Sequence, residues 1–161
     1  MPSLTDLPQA IMTRHLLLTL LLLPAVSLAH HLEITQIWIP EAPPVSKVHA
    51  AYMQITNNSD ETTKLVSASS EGHRITEIHL SSEKDGVASM RRVNAITVPA
   101  GGEVGLTPGG YHLMLMQPER PLKAGDTVQL ELGFDDGSKA SIEARVRKTD
   151  AGAHHHHHHH H

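Results

Sequence analysis

The residues of this chain that could do chemistry form a short set of borderline and soft donors. With the two terminal segments set aside, histidine occurs at His30, His31, His49, His73, His79 and His112, and methionine at Met53, Met90, Met114 and Met116. There is no cysteine. That excludes disulfides, thiolate metal sites, a cysteine nucleophile, a lipid-modified cysteine and a blue-copper carrier. The densest stretch is Gly109-Gly110-Tyr111-His112-Leu113-Met114-Leu115-Met116. Successive side chains of a strand point to opposite faces. His112, Met114 and Met116 therefore share one face, and Tyr111, Leu113 and Leu115 share the other, which suits a core. A histidine and two thioethers in line beside a glycine turn make a soft-metal edge. Methionine is equally a flexible core filler, and a strand buried on both faces also reads as a continuous apolar run. The segment alone leaves both readings open.

Distant partners change the weighing. His79 lies at the end of a strand-like segment, Ile75 to Leu80, and Met90 lies early in the next one, across the turn Ser81 to Gly86. A hairpin there brings the two close together. The whole pattern is His79, ten residues, Met90, twenty-one residues, His112, one residue, Met114. That is H-x10-M-x21-H-x-M without a gap, and it resembles the PCuAC-type periplasmic copper chaperones. The flanks agree: Ala50-Ala51-Tyr52-Met53, the Val87 to Val93 segment with Met90-Arg91, Pro108 through Met116, and Leu122-Lys123-Ala124-Gly125-Asp126. The resemblance covers nearly all of the chain between its terminal segments.

The resemblance implies a cupredoxin-like fold and one copper(I) ion held by His79, Met90, His112 and Met114. It also implies delivery toward the dinuclear copper centre of cytochrome oxidase, with the oxidase copper subunit or its assembly factor as acceptor. The chain is then a monomeric binding and transfer module and not an enzyme. The family pattern points to Met114, with Met116 as a substitute ligand or lining. Met53 is expected in the core, and His49 and His73 on the exposed surface.

The donor chemistry fits such a cargo. Thioethers are soft and neutral, and they favour copper(I) over zinc, calcium or magnesium. In an oxidising compartment a cysteine pair could be lost to a disulfide. Methionine cannot form one, although it can be oxidised to the sulfoxide. Histidines must be deprotonated to bind metal, so affinity should fall as pH drops through the ordinary histidine range near ~6.5.

These residues must be positioned by strands. Alternating segments run over Leu32 to Ile39, Ala51 to Thr56, Thr63 to Ala68, Ile75 to Leu80, Val87 to Val93, Ala95 to Val98, Glu103 to Leu106, Tyr111 to Met116, Thr127 to Phe134 and Ser141 to Val146. Turn clusters separate them, and Asp136-Gly137 favours a hairpin. Many short strands argue for an all-β sandwich or barrel. Together with the resemblance, the expected fold is a single all-β domain, a cupredoxin-like Greek-key β-sandwich or barrel. Aromatic residues are few (Trp38, Tyr52, Tyr111 and Phe134), so aliphatic side chains must build the core. The net charge of −4 is spread along the chain, with no basic stripe for nucleic acid.

The expected organisation is an N-terminal extension with a cleaved secretory signal over residues 1–29, a copper-binding domain over 30–150, and a linker with a histidine tag over 151–161. Arg14-His15, the apolar run Leu16 to Leu23 and Ser27-Leu28-Ala29 supply the basic, apolar and cleavage regions of a signal. The apolar run is shorter than the roughly 20 residues needed to span a bilayer, so the mature chain is expected in the periplasm without a membrane span. Cleavage after Ala29 exposes His30 as a terminal chelator. It opens an alternative: a secondary copper(II) site, or a mononuclear copper redox enzyme built on His30.

Overall fold

The computed structural model describes residues 31–149. The signal segment, His30 and the histidine run lie outside the described residues. Ten strands follow one another: β1 (Leu32–Pro40), β2 (Val48–Asn57), β3 (Thr63–Ser70), β4 (His73–Lys84), β5 (Val87–Arg92), β6 (Ile96–Val98), β7 (Glu103–Leu106), β8 (Tyr111–Pro118), β9 (Thr127–Phe134) and β10 (Lys139–Arg147). Each expected segment corresponds to one strand, and no helix occurs among the described residues.

The strands form one continuous sheet in the order β5-β4-β8-β7-β2-β1-β10-β9-β3-β6, with β8 also pairing β2. Most pairings are antiparallel; β1 runs parallel to β10, and β7 to β8. The sheet folds over on itself. Asn57 at the end of β2 donates its backbone N–H to Gly102 O, and its Nδ2 donates to Val98 O of β6, the far edge strand. Strands five places apart in the sheet order touch only if the sheet closes back.

The inner face is aliphatic. Ala51, Met53 and Ile55 alternate along β2, Leu113 and Leu115 along β8, and Val128, Leu130, Leu132 and Phe134 along β9. All are buried in one cluster, so the period-2 pattern places one face of each strand in the core. Met53 lies in that core as expected.

The strand β4 and its hairpin differ from the sequence expectation. β4 continues to Lys84, and the turn is reduced to Asp85-Gly86, both with positive φ (54° and 76°). Two left-handed residues define the tight hairpin turn whose twist matches its flanking strands, and Asp-Gly suits it. Ser81 to Lys84 lack an apolar alternation because this arm extends past the core, and every residue of β5 is exposed.

Candidate metal centre

The outer face of β5, β4, β8 and β2 carries the candidate ligands. His79 and His112 lie directly opposite each other in the β4–β8 ladder. Their ring centres are 5.9 Å apart. Metal–nitrogen bonds of about 2.0 Å and one ring radius on each side span roughly 6 Å at most, so the two rings are within reach of one shared ion. Met114 is level with Glu77, one step along β8 on the same face. Met90 is level with Ser81 in the β4–β5 ladder, on the same face but beyond the histidine row in the other direction. The two methionines thus flank the histidines along the strand axis. Met116 lies one step further, level with Ile75 and Val48.

Burial differs sharply within the set. His112 is 4% exposed and Met90 53% exposed. The candidate site is therefore most open on its hairpin side. The His112 ring stands between His79 and Tyr52, and Tyr52 in turn packs on Trp38 at 5.0 Å. A bulge in β1 between Thr35 and Trp38, with Gln36 at φ 52°, brings Trp38 level with Tyr52 on this face. Burial pushes the Tyr52 phenol above its ordinary value, so it is uncharged beside the imidazole.

Two residues of the site escaped the sequence reading. His79 Nε2 lies 2.9 Å from Glu77 Oε2, and Arg92 Nη1 lies 3.1 Å from Glu77 Oε1. The hydrogen bond from His79 and the nearby Arg92 charge hold the Glu77 carboxyl below the usual carboxylate range. Strand parity could have found Glu77, since it sits two residues before His79 on the same face. The other nitrogen of His79, Nδ1, is buried without a hydrogen-bond partner. On His112, Nδ1 lies 3.2 Å from Gly110 O. An orphaned imidazole nitrogen on a face that also carries a second imidazole and two methionines suits a soft metal ion. Among the described residues no three His, Asp or Glu side chains converge into a metal-binding group. A cleft of about 830 Å³ is lined by His31, Asn57, Thr63, Phe134, Asp135 and Ile142 and includes none of the four candidate ligands. A single metal ion needs no large cavity, so its site is marked by donor geometry and not by cleft size.

His49 and His73 correct an expectation. They are not exposed surface residues: His49 is 5% exposed and His73 is half-buried. His49 Nδ1 lies 3.0 Å from His73 Nε2, and His73 Nδ1 contacts Ser70 Oγ at 2.9 Å. His49 has the same strand parity as Ala51 and Met53, which turns it inward. Burial lowers both histidines from their ordinary value, and for His49 the neighbouring His73 adds to the effect.

Fold and site together define an all-β domain of cupredoxin-like type with a histidine-methionine edge. The chain belongs to the LpqE-like family, which is PCuAC-related; the family model matches residues 32–146. It is 30% identical over 120 residues to Lxx21020 of Leifsonia xyli subsp. xyli, whose name includes the word lipoprotein, covering 74% of this chain and 71% of that protein. It is 30% identical over 132 residues to the uncharacterized protein RP573 of Rickettsia prowazekii, covering 78% and 70%. Among solved structures it is similar to apo-DR1885 from Deinococcus radiodurans, at 31% identity and TM-score 0.60, covering 95% of this chain and 97% of that one. Copper(I)-bound DR1885 matches at 34% identity and TM-score 0.58, covering 74% and 78%. The copper-bound PCuAC domain of PmoF2 shares the fold at 22% identity and TM-score 0.63, covering 74% and 94%.

Proposed function

We propose that this protein is an exported copper chaperone that binds one copper(I) ion through His79, Met90, His112 and Met114. The observation that carries the reading is the direct pairing of His79 with His112 at 5.9 Å, with a methionine on either side of the pair on one face. Two relations support it further: the family of the chain, and its similarity to DR1885, whose solved form carries copper(I). Neutral soft donors suit copper(I), and no acid, base or nucleophile is needed. The periplasm is the compartment of action, and the acceptor is a copper protein on the route to the dinuclear centre of cytochrome oxidase. Unequal burial suits transfer. The histidines are shielded, while Met90 stands on an exposed edge strand where an incoming donor can replace it.

X-ray absorption on the tag-free, copper(I)-loaded protein tests this. The reading predicts two sulfur and two nitrogen neighbours. A shell of nitrogen and oxygen alone would remove both methionines from the site and move attention to His30 and copper(II).

A further inference from the structure

The two histidines are held by different nitrogens, and this fixes which atom of each is left for a metal. Glu77 Oε1 faces the Arg92 guanidinium, which can only donate, and Glu77 Oε2 faces His79 Nε2, so the carboxylate accepts on both sides and the proton of the His79–Glu77 contact is on His79 Nε2. The remaining nitrogen, Nδ1, is buried and unpartnered. An N–H there would have no acceptor, whereas a lone pair there can become a metal bond. His112 is held the opposite way: Gly110 O can only accept, so Nδ1 carries the proton and Nε2 the lone pair. Glu77 is itself fixed from its other oxygen by Arg92, which stands opposite His79 in the β4–β5 ladder. Glu77 also lies opposite Met114 in the β4–β8 ladder, so the brace forms part of the same outer face.

We propose that His79 binds the metal through Nδ1 and His112 through Nε2, and that Glu77, clamped by Arg92, is a positioning residue that keeps His79 in the required tautomer. The metal half of this rests on the copper(I) reading above. A histidine ligand whose second nitrogen is fixed by a carboxylate has its tautomer and ring orientation set before the metal arrives. Here that arrangement is complete in the protein itself, so His79 needs no tautomer exchange on binding.

The experiment is long-range nitrogen–proton NMR of the imidazole rings in tag-free protein, first without copper and then after anaerobic addition of copper(I). Expected without copper are a His79 proton on Nε2 and a His112 proton on Nδ1. On addition of copper(I), the His79 Nδ1 and His112 Nε2 resonances move, while the protonated nitrogens keep their protons. Glu77→Ala mixes the His79 tautomers and weakens copper(I) binding by about 10–100-fold. Glu77→Gln, whose amide oxygen still accepts from Nε2, restores the tautomer and most of the affinity. A His79 proton on Nδ1 in the copper-free parent overturns the proposal, as does a copper-induced shift at His79 Nε2. Parental affinity in a folded Glu77→Ala also overturns it. The copper-free spectrum decides the tautomer even if that variant fails to fold. If the tautomers are as expected and copper(I) does not bind, the functional reading fails instead, and the metal half of this inference fails with it.

Discussion

Replacing Met90 with alanine separates binding from folding. Full burial of a methionine side chain is worth roughly 1.5–3 kcal/mol, and Met90 is 53% exposed, so the copper-free protein should lose only about 1 kcal/mol. Copper-linked stability should change more. With free copper(I) buffered at about 100 times the parent Kd, binding stabilises the fold by about 2.7 kcal/mol. If the loss of one thioether weakens binding about 100-fold, the same buffer gives the variant only about 0.4 kcal/mol. At about 4 °C per kcal/mol for a domain of this size, copper should raise the parent Tm by about 11 °C and that of Met90→Ala by about 2 °C. The assay is thermal unfolding of tag-free protein under anaerobic conditions, with and without buffered copper(I). Leu113→Ala is the control. Its side chain is fully buried, so it should cost about 2–5 kcal/mol without copper. The reasoning is refuted if Met90→Ala keeps the full copper-induced shift, or if it destabilises the copper-free protein as much as Leu113→Ala does.

Three further outcomes are expected. The folded state lowers the pKa of His49 and His73, so below the ordinary histidine value near ~6.5 the unfolded chain binds more protons than the folded one. Stability should therefore fall as pH drops below that value, and a His49→Asn, His73→Asn double variant should show a flatter profile in urea titrations from pH 7.5 to about 5; an unchanged slope would count against the buried pair. Asn57→Ala should cost about 2–3 kcal/mol in denaturant unfolding, because Nδ2 donates to Glu61 O and Val98 O while Oδ1 accepts from Ser59. A neutral result would show that these bonds do not close the sheet. Gly133→Ala places a Cβ against Ser67 Oγ and should cost about 1–3 kcal/mol; adding Ser67→Ala should recover at least half, and an additive double variant would contradict the contact.

Much of the strand framework was legible because one face of most strands is buried. β7 and β9 begin and end where the apolar alternation of Glu103–Leu106 and Thr127–Phe134 does. The split of β8 into a Tyr111-Leu113-Leu115 face and a His112-Met114-Met116 face followed from parity alone. The alternation gave no guide to the far half of β4, since Ser81, Ser82, Glu83 and Lys84 leave the core and no buried face remains to impose a period. His49 was misjudged because a polar residue reads as surface, although its parity with Ala51 turned it inward. The Glu77–Arg92 brace depends on which rotamers meet across two ladders, which strand periodicity does not encode. The choice of His79 and Met90 as ligands came from the resemblance and not from spacing by itself.

The measurement closest to the central claim is an anaerobic copper(I) titration of the tag-free protein against a chromophoric competitor, repeated on His112→Ala and Met114→Ala. The account predicts one tightly bound copper(I) in the parent and a loss of at least about tenfold in both variants, which is about 1.4 kcal/mol each. Failure of the parent to compete for copper(I), or unchanged affinity in folded variants, would contradict it.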